Sequence, residues 1–151
     1  MELASIIISI VSGVFSFITY ATTVKYEKRK STIEAINLLQ NEVLDKFVSI
    51  NQDNAKIIVE NLGNELCKEA YNDYRALIAR LEHFAIGVNK HIYDVGIVNN
   101  LVGIHFIGLY KKVMPIIAEA NKKSQDIIHY KNFVKLVKKL EFKQKMNNGR
   151  N

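Results

Sequence analysis

The stretch SIIISIVSGVFSFITYATT, residues 5–23, decides how this chain is built. It lies within a run from Leu3 to Val24 that holds no charged residue. Those twenty-two residues, at about 1.5 Å each, make a helix of roughly 33 Å, enough to cross a hydrocarbon core of about 30 Å. The same stretch sets a hydroxyl at Ser5, Ser9, Ser12, Ser16, Thr19 and Thr23, in alternating steps of four and three. At about 100° per residue these six positions fall within about 40° of one line along the helix. Leu3, Ile7, Ile10, Val14, Ile18 and Ala21 fall near the opposite line. The pattern predicts an amphipathic membrane helix with an oily face and a hydroxyl face.

Such a face has two uses. Small residues, here the serines and Gly13, let helices approach closely and hydrogen-bond across the contact. Alternatively, several copies surround a narrow hydroxyl-lined pathway for ions. Both uses need partner helices. The chain offers one good span, so the expected partners are other copies of itself in a homo-oligomer.

The flanks set the orientation. The leading charge is Glu2, and no A-x-A cleavage site precedes the next charges, so the segment does not read as a cleaved signal peptide. Lys25, Lys28, Arg29 and Lys30 follow, diluted only by Glu27. Positive flanks stay in the cytoplasm, which predicts a single pass with the N-terminus out and the C-terminus cytoplasmic. Tyr20 and Tyr26 sit near the expected inner interface.

The whole chain bounds the remainder. At 151 residues it has room for one compact domain and an appendage. A charged fraction of 24% and an apolar fraction of 48% are globular, not disordered. One proline and seven glycines are too few for a turn-rich β sandwich. Cys67 is the only cysteine, which excludes an internal disulfide and reads as a small buried apolar side chain. Residues 1–110 carry ten Lys and Arg against twelve Asp and Glu, whereas residues 111–151 carry eleven against three. An acidic-to-neutral body thus ends in a basic segment.

Beyond the span the periodicity is helical throughout, and no strand pattern stands out. The fold class expected is all-α: a transmembrane helix at 1–24, a basic juxtamembrane linker at 25–32, a cytoplasmic bundle of four to five helices at 33–142, and a basic flexible tail at 143–151. Ile33, Ile36, Leu39, Val43, Leu44, Phe47, Val48 and Ile50 form the first apolar stripe, with Ser31 or Thr32 placed to cap it. The alternative is a membrane helix that runs straight through the linker. NQDN (51–54) breaks the pattern, and a short helix follows, interrupted near Gly63. Tyr71, Tyr74, Leu77, Ile78, Leu81, Phe84, Ala85 and Val88 mark a longer helix. Asp94 is placed to cap the next, an apolar core helix that Pro115 should bend or end near Met114. KKSQD (122–126) reads as a loop. Tyr130, Phe133, Val134, Val137 and Leu140 mark the last helix.

No phosphate-binding loop, dinucleotide glycine motif, HExxH, CxxC or nucleophile elbow occurs. His83, His91, His105 and His129 complete no metal set, and no cofactor, metal or catalytic residue is expected. A helical ribonuclease would need an arginine and a histidine separated by four to six residues. Arg75 and Arg80 stand at the wrong distances from His83. The chain therefore does not read as an enzyme. Gly87 inside a helix points to close packing, and Glu82 to a cation, Arg75 or Arg80, or to a backbone amide.

ARLEHFAIGVNKHIYDVGIVNNLVGIHFIGLYKKVMPII (79–117), followed by YKNFVKLVKKL (130–140), resembles a bacterial family catalogued as a domain of unknown function. The shared pattern is a leucine-rich helix with a glutamate, a Gly-Val, an aromatic-Asp turn and a later Pro-Ile-Ile. The resemblance implies one N-terminal membrane helix, a helical cytoplasmic domain and residence in a bacterial inner membrane. Such members often carry an arginine about four residues past the Pro-Ile-Ile, where this chain has Asn121. Some membrane-anchored proteins of this general kind are similar to effectors of anti-phage systems, including the Hailong type. That implies a protein partner from the same system, and it brings no enzymatic residues.

Lys131, Lys135, Lys138 and Lys139 recur at helical spacing in the basic end, with Lys143 and Lys145 beyond. Clustered lysines suit the phosphates of a nucleotide or oligonucleotide. They suit anionic membrane lipid equally well. A solvated helix face is the third reading.

Overall fold

The computed structural model describes residues 2–47, 51–122 and 128–148, with side chains from residue 6 to residue 147. The fold is all-α. In chain order it comprises α1 (Glu2–Leu39), a π turn (Gln40–Leu44), a 3-10 turn (Asp45–Phe47), α2 (Gln52–Glu60), α3 (Glu65–Asn89), α4 (Val95–Lys122) and α5 (Lys131–Asn148).

α1 is one uninterrupted helix, so residues 25–32 are helical and do not form a separate linker. Ser31 and Thr32 do not cap a new helix. Their hydroxyls donate to the carbonyls of Glu27 and Lys28, both at 2.6 Å, the bond a hydroxyl makes inside a helix. The last third of α1 joins the bundle through Thr32, Ile36 and Leu39, all buried. Val43 and Phe47 continue the buried side through the two turns, whereas Ile33 is exposed. Val48 and Ile50 lie outside the described residues.

The breaks fall where capping side chains stand. Asn51 Oδ1 accepts the Asn54 N–H at 2.7 Å and starts α2. Asn64 Oδ1 accepts the Leu66 N–H at 2.9 Å and starts α3 just past Gly63. Asp94 Oδ1 accepts from Gly96 at 2.7 Å and from Ile97 at 3.2 Å, and so caps α4. Between α3 and α4 the chain reverses through His91, whose φ of 62° is left-handed.

α4 is the spine of the bundle and packs against all four other helices. Pro115 does not end it; the helix runs on to Lys122. Proline removes one N–H from the ladder, but Val113, Ile116, Ile117 and Ala120 around it are buried, and that packing holds the turn. α5 buries Tyr130, Phe133, Leu136, Val137 and Leu140. Leu136 takes the core position expected for Val134, which is half-buried. Helix continues from 143 to Asn148, where a flexible tail was expected. Within the KKSQD loop, Lys122 is the last residue of α4 and the others lie outside the described residues. Cys67 is half-buried, not fully enclosed.

Aromatic contacts join three helices at the centre. Phe84 of α3 meets Phe106 of α4 edge-on at 5.7 Å, and Phe106 meets Phe133 of α5 at 6.2 Å. Phe84 also stacks on Tyr93 at 5.3 Å. Gly87 makes room for that ring: a Cβ there would stand 2.5 Å from Tyr93 Cε2.

Candidate functional site

The exposed part of α1 is the most unusual surface of the molecule. Every described side chain from residue 6 to residue 27 is exposed, and the first contact with the bundle is half-buried Lys28. Phe15 and Phe17 are each 72% exposed, so nothing among the described residues covers them. α1 and α4 are both long and apolar enough to cross a membrane, but they differ in cover. The apolar window of α4 is 39% buried among its neighbours, and that of α1 is not buried at all. A run rich in Ile, Val and Phe is a poor helix former in water. Where water is scarce, the helix satisfies its own backbone groups internally.

The predicted stripe residues Ser9, Ser12, Ser16, Thr19 and Thr23 lie on this exposed helix; the Ser5 side chain is outside the described residues. Thr19 Oγ1 donates to the Phe15 carbonyl at 2.9 Å. Thr22, which stands off the stripe, donates to the carbonyls of Ile18 and Thr19. Such hydroxyls spend their proton on their own backbone and keep their lone pairs for a neighbour.

The junction of helix and bundle is tied by a bond that sequence reasoning missed. Thr32 is fully buried, and its Oγ1 accepts the backbone N–H of Asp94 at 2.9 Å, across 62 positions of sequence. The turn before α4 is thereby pinned to the root of the exposed helix. Burial pushes the Asp94 carboxyl up, but the N–H groups of Ile97 and Gly96 and the nearby charges of Lys28 and Arg29 together hold it below its ordinary value. On the next turns of the junction, Glu42 forms an ion pair with Arg80 of α3.

Glu82 meets backbone amides rather than either arginine. Oε2 accepts the Phe133 N–H at 2.7 Å, and Oε1 accepts from Asn132 N at 3.1 Å and from Asn132 Nδ2 at 2.7 Å. α5 has no acidic residue in its own first turn, so a carboxylate from α3 complements its amino end. Arg75 instead lies over the Tyr71 ring, and its Nε donates to Tyr130 Oη at 3.4 Å, a bond that raises the pKa of Arg75. Asn121, at the position of the resembling family's arginine, accepts the His129 N–H at 2.6 Å and donates to Ile117 O. It fastens the approach to α5 onto the end of α4.

The lysines of α5 do not converge on a pocket. Lys131, Lys135 and Lys138 are exposed on the outer face opposite the core, with Lys145 beyond, and Lys139 is half-buried at its flank. Among the described residues no cluster of His, Cys, Asp or Glu has the makings of a metal site.

No curated protein and no solved structure matches the chain. The family profile described as "Domain of unknown function (DUF4760)" matches residues 3–140, from the first turn of α1 to the buried Leu140 of α5. Exposed apolar helix and bundle thus form one family unit, and the chain belongs to the DUF4760 family.

Proposed function

We propose that the protein is a self-associating single-pass membrane effector that performs no catalysis. Residues 1–24 cross the membrane with the N-terminus out, and the bundle stands in the cytoplasm. Copies gather through the hydroxyl stripe around a pathway for ions, and the bundle holds that pathway shut or releases it. The single observation behind this reading is α1 itself: one helix passes without a break from a wholly exposed apolar span into buried Ile36 and Leu39. The setting is bacterial anti-phage defence, on the resemblance that covers most of residues 75–140, with a protein partner from the same system and a nucleotide or oligonucleotide as a ligand.

The test combines three measurements on the full chain: ion leakage on expression, oligomer mass in detergent, and plating of phage on cells carrying the surrounding system. Ser12→Leu with Ser16→Leu should abolish leakage by filling the axis, whereas Ile10→Leu with Val14→Leu should leave it unchanged. A monomer at every detergent dilution, or an oligomer whose membrane stays tight to ions, overturns the reading. The second outcome leaves a non-conducting anchored adaptor. That alternative is favoured by the Thr19 hydroxyl, whose proton is already satisfied inside its own helix and needs no water.

A further inference from the structure

The hydroxyl stripe does not stop where the apolar span stops. Counting on from Thr23 by threes and fours, the same side of α1 carries Glu27, Lys30, Glu34 and Asn37. At about 100° per residue these four fall within about 40° of the line of Ser9, Ser12, Ser16, Thr19 and Thr23. All four are exposed. Buried Thr32, Ile36 and Leu39 fall near the opposite line, which is also the line of Ile7, Ile10, Val14 and Ile18. The bundle therefore hangs from the oily side of the helix and leaves the polar side clear from Ser9 to Asn37. Lys25, Lys28 and Arg29 also fall on the bundle side, away from the stripe.

We infer that the polar side beyond the span is an interface with further copies of this chain. Parallel α1 helices line one axis as far as Asn37, with every bundle held outside the ring. The inference rests on the membrane reading above only for the half of the stripe before Thr23. The occupant is another copy because of the signs along the face. Glu27 and Glu34 flank Lys30 at three and four residues, one helical turn to either side. Among the described residues, no ion pair joins Lys30 to either glutamate within the chain. Two parallel copies at one level set each Lys30 between glutamates one turn above and below it on the neighbour, about 5 Å along the axis. The alternation of signs is complementary to itself. A partner surface of one sign would be repelled at some turn of it.

Single cysteines in a Cys67→Ser chain, oxidised in intact membranes, test this. Glu34→Cys and Asn37→Cys should give disulfide-linked dimers, and Glu60→Cys, exposed at the end of α2, should not. Adding Lys30→Glu should lower the dimer-to-monomer ratio of the Asn37→Cys chain roughly two- to fivefold, and Glu34→Lys on top of it should restore the ratio. Ser12→Cys and Ser16→Cys report on the membrane half separately. Dimers at 12 and 16 with none at 34 and 37 overturn this inference and leave the membrane oligomer standing. Dimers at 34 and 37 with none at 12 and 16 uphold it and overturn the membrane oligomer. A ratio unmoved by Lys30→Glu overturns the charge pairing on which the choice of occupant rests.

Discussion

Glu82 caps a helix to which it does not belong: its carboxylate on α3 holds the N–H of Phe133, 51 residues further along, at 2.7 Å. The bond fixes where α5 begins and which way it points. Glu82→Ala leaves the amides of Asn132 and Phe133 without their partner and should lower stability by about 1.5–3 kcal/mol. Glu82→Gln should cost less, because an amide oxygen still accepts one of the bonds. Thermal unfolding of both variants, read by circular dichroism, checks the order.

Thr32→Val keeps the shape of the side chain and removes the acceptor for the Asp94 N–H. An unpaired backbone donor at this junction should cost about 1–3 kcal/mol, whereas Thr32→Ser should cost well under that. Faster hydrogen exchange at the Asp94 amide in Thr32→Val, without change at the Asn54 amide of α2, would locate the loss.

Asp94 gives a pH dependence of known sign. Its carboxyl is held below its ordinary value in the folded chain, so its stabilising contribution is complete above the unfolded value of about 3.9 and is lost as pH falls through the lower folded value. Asp94→Asn keeps the cap and removes the charge. The stability difference between the two proteins should be constant from about pH 5 to pH 7, no more than about 1 kcal/mol, and should shrink below about pH 4. A difference that grows on acidification would contradict this assignment.

The α5 lysines carry a salt test. If they hold a single-stranded oligonucleotide, replacing Lys135, Lys138 and Lys139 with glutamine should weaken binding and reduce the slope of log affinity against log salt by about 2. Filter binding at several salt concentrations measures it. An unchanged slope returns these residues to a solvated face.

The charges beyond the span bear on selectivity. If copies of α1 line a conducting axis as proposed, two glutamates for each Lys30 should make the leak prefer cations, and Glu27→Gln with Glu34→Gln should remove the preference. The reversal potential across a potassium chloride gradient reads this directly.

Much of this architecture was legible because it is written in local chemistry. Asn51 and Asp94 stand where helices start, and each caps as its side chain prescribes. Gly87 announced close packing, although only the fold supplies the Tyr93 ring that needs the space. The errors share one cause. Ser31 and Thr32 prefer caps by their own chemistry, yet buried Ile36 and Leu39 and the distant Asp94 amide draw them into the middle of a helix. Val134 and Leu136 both fit a three-four apolar spacing, and only the position of α4 decides that Leu136 faces inward. Glu82 had three candidate partners on local grounds. The choice among them depended on where α5 was brought by contacts formed far along the chain.

An unbroken α1 also has a mechanical meaning. A flexible tether would let the bundle swivel freely beneath its anchor; a continuous helix works as a shaft keyed at Thr32 and Ile36. Any rotation of the bundle about the shaft turns Ser12 and Ser16 through the same angle, and any push along it moves them by the same distance. About a quarter turn would exchange the stripe for the flank that carries Phe15. A ligand that tilts or twists the bundle therefore needs no separate transmission to change what the far end of the helix presents.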